Sequence, residues 1–184
     1  CSSDLINIQN NVLALVQEKK ELGSAALFVV GIGGSSLGTK AILQALYGRI
    51  PFPGKQTIPV YFAETVDADR MHTLVAIMEQ LLTGGKHVLL SVITKSGTTL
   101  ETVANFQVLL AVLQKHCPET YKKYVIAITD KNSPLWQMAQ QEGFSKLEIP
   151  SAVGGRFSVF TAVGLFPLGI AGVDIAQLCA GAAS

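Results

Sequence analysis

Residues 91–102 decide the fold of this chain, and they read Ser91-Val92-Ile93-Thr94-Lys95-Ser96-Gly97-Thr98-Thr99-Leu100-Glu101-Thr102. An apolar, β-rich run ends at a lysine, a glycine and several hydroxyl residues, and a helical pattern follows. This order predicts a buried parallel strand over residues 88–93, a turn at its carboxyl end and then a helix. The first N–H groups of a helix lack partners within the helix and carry partial positive charge. Four hydroxyl residues share the turn before them: Thr94, Ser96, Thr98 and Thr99. We therefore predict that this turn binds a dianionic phosphate monoester.

A simpler interpretation of the same turn is an ordinary helix cap. In that case the hydroxyl of Thr98 or Thr99 accepts a backbone hydrogen bond, with Glu101 near the third helical position. A cap requires only one hydroxyl, whereas this turn offers four. We therefore favour phosphate binding over capping alone.

Composition limits the class of protein and the partners that it can hold. The chain has 184 residues, of which 49% are apolar, 15% are charged and 17 are glycine. That length fits one domain, and the apolar content fits a sheet that is buried on both faces. The net charge of +1 offers no basic field for nucleic acid or an anionic membrane. Any anion must therefore be bound locally.

The cysteines and the ends of the chain predict its setting. Cys1, Cys117 and Cys179 are odd in number and widely spaced, which fits neither a zinc site nor a disulfide framework and indicates a reducing, cytoplasmic setting. No apolar run approaches the roughly 20 residues that span a bilayer, and the start does not resemble a signal peptide. The chain begins without methionine and stops without a capping residue. We expect it to be a piece of a longer protein.

Strands and helices alternate five times along the sequence. We expect a helix over residues 6–20, within an N-terminal segment 1–22 that precedes a domain over residues 23–184. Strands are predicted over residues 26–32, 59–64, 88–93, 124–129 and 146–149. Helices are predicted over residues 37–47, 68–82, 98–116 and 134–142 and from about residue 158 onward, with a break at Pro51, Pro53 and Gly54. The order predicts an α/β fold with three layers, namely a doubly wound, five-stranded parallel sheet between helices. Ligands of such sheets bind beyond the carboxyl ends of the strands.

Residues 31–38 form a glycine-rich loop between the first strand and its helix. They read Gly31-Ile32-Gly33-Gly34-Ser35-Ser36-Leu37-Gly38. A dinucleotide site is the obvious alternative, but Ser36 stands where its fingerprint requires glycine or alanine. The first acidic residue after the second strand, Glu64, also falls about 30 residues on rather than about 20. A nucleotide-dependent oxidoreductase is therefore disfavoured.

A third loop, residues 153–158, carries an arginine behind two glycines. Arg156 follows Gly154 and Gly155, so its planar fork of donors stands on a backbone that a ligand can approach closely. Such a fork suits an oxyanion or adjacent sugar oxygens. Taken alone, the segment also fits a surface arginine in an ordinary loop.

Together the three loops resemble the glucose-6-phosphate isomerase family, specifically its first sugar-isomerase (SIS) domain, which has a flavodoxin-like fold. The resemblance covers roughly residues 20–175, and its motifs are FVVGIGGSSLG at residues 28–38, TKSGTTLET at 94–102 and GGRFS with TAVGL at 154–158 and 161–165. It implies that the 6-phosphate is held near the Lys95 backbone by four hydroxyl residues: Thr94, Ser96, Thr98 and Thr99. It implies that Gly34 and Ser35 line the sugar and that Arg156 stabilises an enediol-type intermediate. Thr94 stands where the family usually has serine, which keeps the hydroxyl and adds a methyl group.

The resemblance also implies the reaction and the partners. The full-length protein would interconvert glucose 6-phosphate and fructose 6-phosphate as a homodimer, without a cofactor or a metal. The family's glutamate base, ring-opening histidine and a further lysine come from sequence beyond the arginine motif. Glu64, Asp67 and Glu101 fit structural positions better than catalytic ones, and His72, His87 and His116 fit the surface. We therefore expect this chain alone to bind a phosphosugar weakly, to self-associate and to lack isomerase activity.

Two alternatives stay open from the sequence. One is a stand-alone SIS module that senses a phosphosugar, and the other is a different SIS sugar-phosphate isomerase. A sensor has no need of an arginine that stabilises a transition state, so Arg156 argues against the sensing module.

Overall fold

The structure, a computed structural model, describes residues 2–48 and 58–183. Within these ranges the chain forms five strands, all parallel, in the order β2-β1-β3-β4-β5. The strands are β1 (Ala26–Val30), β2 (Val60–Ala63), β3 (Val88–Ile93), β4 (Val125–Thr129) and β5 (Ser145–Glu148). This is the order of a flavodoxin-like sheet, so the predicted doubly wound α/β fold is confirmed.

Seven α-helices cover this sheet in the described part of the chain. They are α1 (Ser2–Glu21), α2 (Leu37–Tyr47), α3 (Ala68–Thr83), α4 (Leu100–His116), α5 (Pro134–Glu142), α6 (Ala162–Ile170) and α7 (Ile175–Ala183). Helix α3 packs against α4, whereas α1, α2 and α7 all pack against α6. These two groups form the helical layers on either side of the sheet.

The core follows from the apolar content of the central strands. Every residue of β1, β3 and β4 is buried, whereas the edge strands β2 and β5 are mostly half-buried. Helix α6 is buried along its whole length, because α1 covers it. Val12 and Val16 of α1 belong to the same core as the sheet. The division of the chain at residue 22 stays a prediction.

Local signals set several helix ends as the sequence predicts. The Asp67 carboxylate accepts a hydrogen bond from the Arg70 N–H at 2.8 Å and caps α3. Ser133 caps α5 in the same way, with Pro134 in the first turn. Gly143 ends α5 in the left-handed conformation, with φ of 77°.

The prediction of a single helix from about residue 158 is wrong. The chain makes a 3-10 turn at Gly155–Phe157, and α6 begins only at Ala162, with the Thr161 hydroxyl accepting from the Val163 N–H. A second helix, α7, follows Gly172, whose φ of 95° interrupts the helical backbone. The uniform burial of α6 explains the error, because a helix that is apolar on every side has no periodicity to mark its start.

Other boundaries shift by only a few residues. The strand predicted over residues 26–32 ends at Val30, which leaves Gly31 and Ile32 in the loop above it. The break predicted at Pro51, Pro53 and Gly54 lies outside the described residues, as does Cys1. None of the described helices combines the length and the apolar character that crossing a membrane requires.

Candidate functional site

A polar cleft lies where the strand order reverses, at the carboxyl ends of β1 and β3. The two strands are direct neighbours, with Val30 opposite Val92, so the loops that leave them lie side by side. The cleft encloses about 540 Å³, a volume that suits a small ligand. Its lining comes from the end of β3, the loops after β1, β3 and β4, and the first turn of α4: Ile32, Ser35, Ile93, Thr94, Lys95, Ser96, Thr99, Thr102, Asp130, Asn132 and Ser133.

The four hydroxyls of the turn after β3 form one connected cluster. The Thr94 and Thr99 hydroxyl oxygens are 3.1 Å apart, and the Ser96 oxygen lies 3.5 Å from that of Thr99. The Thr98 hydroxyl and N–H both donate to the Ser96 oxygen, each at 3.2 Å. We call this set (Thr94, Ser96, Thr98 and Thr99) the hydroxyl cluster. It stands directly before the N-terminus of the 17-residue helix α4.

Capping does not explain this cluster. Thr99 occupies the N-cap position of α4, but its side chain makes no capping hydrogen bond. Its hydroxyl lies instead among those of Thr94 and Ser96. The interpretation of the turn as an ordinary cap is therefore wrong for Thr99.

The end of β4 and the start of α5 pack against the turn that carries the hydroxyl cluster. The buried Thr129 hydroxyl, at the end of β4, donates to the Thr94 carbonyl oxygen at 2.6 Å and lies 2.7 Å from the Ser133 hydroxyl. Gly97 has φ of 71°, and a Cβ there would come within 2.9 Å of the Leu135 nitrogen. The turn thus needs glycine both for its backbone angle and for its contact with α5.

The first and third loops touch through glycine. A Cβ added to Gly34 would overlap the Gly155 carbonyl and lie 2.8 Å from the Gly155 Cα. The buried Ser158 hydroxyl lies within hydrogen-bond distance of two carbonyl oxygens, at 2.6 Å from Gly155 and 3.2 Å from Gly34. The loop that carries Arg156 (residues 153–158, the arginine loop) therefore packs directly against the loop after β1 (residues 31–38, the glycine loop).

A lysine connects the second loop to the third. The Lys95 ammonium donates to the carbonyl oxygens of Ser151 and Val153, at 2.6 and 3.0 Å. Arg156 itself is exposed, and no group of the described residues bonds to its guanidinium. Its side chain does not line the cleft.

The structure thus brings most of the predicted site residues together. Thr94, Lys95, Ser96, Thr99 and Ser35 line one cleft, and Thr98 is bonded to the cluster beside them. Gly34 lies behind the cleft against Gly155, and Arg156 stands outside it. The binding role of each residue stays a prediction.

Sequence reasoning did not assign four polar residues to the cleft, namely Thr102, Asp130, Asn132 and Ser133, and it singled out neither Asp130 nor Asn132 for any role. Both follow β4, and the Asn132 N–H donates to an Asp130 carboxylate oxygen at 2.8 Å. A signal was available, because the carboxyl end of every parallel strand faces the same edge of the sheet. The loop after β4 contains no glycine-rich motif that would have drawn attention to it.

The acidic residues beside the loops are engaged in structural contacts. The Glu64 carboxylate pairs with the Lys40 ammonium at 2.6 Å and with the Arg70 guanidinium at 3.4 Å, and the Ser36 hydroxyl donates to it at 3.3 Å. Glu101 lies in the first turn of α4. These positions agree with the structural roles expected from the sequence.

The histidines lie away from the cleft lining. His72 is exposed, and His87 is exposed with its ring stacked on Tyr124. His116 Nε2 lies 3.8 Å from the Glu79 carboxylate. A hydrogen bond from Lys115 is the main cause that lowers the pKa of that carboxylate. In the described part of the chain, no group of three His, Cys, Asp or Glu side chains is arranged to hold a metal ion.

Two cysteines are free and half-buried. Burial raises the pKa of the Cys117 thiol and, as the larger of two effects, that of the Cys179 thiol. Both are therefore weak nucleophiles at neutral pH.

Comparison with known proteins gives consistent matches along most of the chain. The family model described as phosphoglucose isomerase matches residues 19–184. A glucose-6-phosphate isomerase of Mycoplasmopsis pulmonis is 38% identical over 96% of this chain and 41% of its own length. One from Alkaliphilus metalliredigens is 40% identical over 90% of this chain and 37% of its own length. The chain thus spans about 40% of the length of these curated relatives.

Solved structures share the fold. A hypothetical protein from Thermus thermophilus superposes with a TM-score of 0.79 at 29% identity, over 99% of this chain and 40% of its own. A glucose-6-phosphate isomerase from Chlamydia trachomatis superposes with a TM-score of 0.69 at 26% identity, over 92% of this chain and 30% of its own.

Proposed function

Because the chain belongs to the phosphoglucose isomerase family, we propose that it is the phosphosugar-binding part of a glucose-6-phosphate isomerase. The full-length protein would interconvert glucose 6-phosphate and fructose 6-phosphate through an enediol or enediolate. The observation that carries this proposal is the hydroxyl cluster, which stands before the N-terminus of α4 and three of whose members, Thr94, Ser96 and Thr99, line a cleft at the strand switch point.

The proposed phosphate site is built from neutral donors and a helix terminus. The hydroxyls of Thr94, Ser96, Thr98 and Thr99 lie in steps of 3.1 to 3.5 Å, close enough to converge on one phosphate group. The N-terminal turn of α4 adds backbone N–H groups and a positive partial charge. The Lys95 backbone runs through the same turn. A phosphate would replace the hydroxyl–hydroxyl contacts with stronger, charge-assisted hydrogen bonds.

The sugar would extend from the phosphate toward the glycine loop. Ser35 lines the cleft on that side, and Gly34 lets the arginine loop approach the glycine loop. We propose that Arg156 stabilises the negative charge that develops as a proton moves between C1 and C2. Its exposed guanidinium, unpaired in the described part of the chain, is consistent with such a role.

The proton must be carried by a base held within hydrogen-bond reach of it. Lys40 and Arg70 already engage the Glu64 carboxylate, and Glu101 serves the start of α4. We therefore propose that the base comes from the part of the relatives' length that this chain does not span. The reaction needs no cofactor, because it involves no net oxidation or reduction: the base takes a proton from one carbon and returns it to the neighbouring carbon as the carbonyl group moves.

The test is a coupled assay of the full-length protein with fructose 6-phosphate. We expect turnover, and we expect Arg156→Ala to lower kcat by about 10²- to 10³-fold with a smaller change in KM. Arg70→Ala is the matched control, since it removes an exposed arginine that pairs with Glu64 and should leave kcat within about twofold. A pure KM effect of Arg156→Ala would place this residue in ground-state binding instead.

We also propose that the protein works in the cytoplasm as a homodimer. The free Cys117 and Cys179 support a reducing compartment, and the net charge of +1 supports neither nucleic acid nor an anionic membrane as a partner. The homodimer rests on the family resemblance. Light scattering of the full-length protein should give the mass of two chains.

A further inference from the structure

Lys95 lies within the proposed phosphate-binding turn, yet its ammonium bonds to a different loop. Its ammonium donates two hydrogen bonds to backbone carbonyl oxygens, at 2.6 Å to Ser151 and at 3.0 Å to Val153. Both carbonyls lie in the turn directly before Gly154, Gly155 and Arg156. Two of the three ammonium protons are therefore committed to the arginine loop.

The backbone of Lys95 is a firm anchor for this contact. Its carbonyl oxygen accepts from the Asp130 N–H at 3.3 Å and lies 3.4 Å from the Thr129 hydroxyl. Thr129 is the buried end of a central strand. The lysine stem thus projects from the rigid side of the cleft.

The segment that Lys95 holds has little support of its own. Ser151 and Ala152 are exposed, and one backbone hydrogen bond, from the Val153 N–H to the Pro150 oxygen at 3.0 Å, closes the turn. Residues 154–156 are exposed as well. Surface segments with few buried contacts open at low free-energy cost, so we expect the two Lys95 bonds to add to the restraint that the Gly34–Gly155 contact and the Ser158 hydroxyl place on the adjoining loop.

We propose that Lys95 is a positioning residue. Its ammonium fixes the position of the arginine loop relative to the proposed phosphate-binding turn, residues 94–99. The proposal deepens the proposed function and rests on it for its catalytic consequence. Lys95 would act through Arg156, and it would thereby couple a filled phosphate site to a correctly placed guanidinium. This differs from the usual expectation that the ammonium of a lysine in an anion-binding loop contacts the anion.

The first test is hydrogen exchange in this chain at the amides of Val153, Phe157 and Ser158, which donate to the carbonyl oxygens of Pro150, Gly154 and Gly155. Lys95→Met keeps most of the side-chain volume and removes both hydrogen bonds, so exchange there should accelerate about tenfold or more. Lys95→Arg should keep exchange within about threefold of the parent chain, because a guanidinium also donates to two carbonyls. Lys115→Met is the matched control, since Lys115 lies at the far end of α4 from the cleft and its ammonium pairs with Glu79 of α3. Unchanged exchange in Lys95→Met would overturn the proposal.

The second test is kinetic and uses the full-length protein with fructose 6-phosphate. Lys95→Met should lower kcat about 10- to 100-fold and keep KM within about threefold. The double variant with Arg156→Ala should match Arg156→Ala alone within about twofold, because a positioning residue has nothing left to position. A tenfold rise in KM with kcat unchanged, or fully additive effects, would overturn the proposal by assigning the ammonium to the phosphate.

The two tests separate the two levels of the account. If the parent full-length protein does not turn over fructose 6-phosphate, the proposed function fails, whereas the exchange experiment still decides whether Lys95 holds the arginine loop. If the parent is active and exchange in Lys95→Met is unchanged, only the role of Lys95 fails.

Discussion

Replacing Gly34 with alanine should separate the glycine loop from the arginine loop. The new Cβ would overlap the Gly155 carbonyl and lie 2.8 Å from the Gly155 Cα. Both neighbours are backbone atoms, so no flexible side chain can move aside. Overpacking of this kind costs about 1–3 kcal/mol. Losing the contact between the Ser158 hydroxyl and the Gly34 oxygen adds about 0.5–1.5 kcal/mol. We therefore expect the free energy of unfolding to fall by about 1.5–4.5 kcal/mol.

Urea unfolding followed by circular dichroism measures this change. Gly154→Ala is the matched control, because it lies in the partner loop, has φ of −76° and would bring a Cβ no closer than 4.0 Å to Phe157. Its free energy of unfolding should stay within about 1 kcal/mol of the parent, with a gain from lower chain entropy. If Gly34→Ala were as stable as the parent, or if both variants lost equally, the direct seating of the two loops would be refuted.

Two further predictions concern the support of the site and the thiols. Thr129→Val removes the buried contacts of the hydroxyl with the Thr94 oxygen and the Ser133 hydroxyl, so it should lower the free energy of unfolding by about 1–3 kcal/mol, and an unchanged urea midpoint would contradict this support. In a Cys1→Ser background, Cys117 and Cys179 should react with a disulfide reagent at pH 7 far more slowly than free cysteine. Because burial raises the pKa of both thiols, their rates should keep rising above the pH at which free cysteine levels off, and a rate equal to that of free cysteine would contradict this.

Much of the fold could be predicted from local sequence. Helix α2 was predicted over the residues that it occupies, and so was β3, because each has clear apolar periodicity or a β-branched run between turn residues. Asp67 and Ser133 marked helix starts through chemistry that acts within three residues. The region after Gly154 could not be predicted in this way. Ser158 is held by Gly34, more than a hundred residues away, and α6 has no polar face.

In the candidate site too, features within one short segment could be predicted, and contacts between distant segments could not. The hydroxyl cluster lies within six consecutive residues, so its composition alone indicated an anion site. The bonds of Lys95 to Ser151 and Val153 span more than fifty residues and depend on loop geometry that no local pattern encodes. Asp130 was missed for a similar reason, because its place in the cleft depends on the strand order that puts the end of β4 beside β3.

The most direct test of the central claim is a titration of this chain with fructose 6-phosphate, followed by amide NMR shifts. We expect saturable shifts concentrated at residues 94–103, competition by inorganic phosphate, and affinity lost by about 2–4 kcal/mol in the variant Ser96→Ala with Thr99→Ala. Thr73→Ala is the control, because Thr73 is exposed, its hydroxyl donates to the Asp69 oxygen within α3, and its loss should leave the titration unchanged. Shifts confined to the separate groove between α1 and β5, or equal affinity in the double variant, would contradict phosphate binding by the hydroxyl cluster.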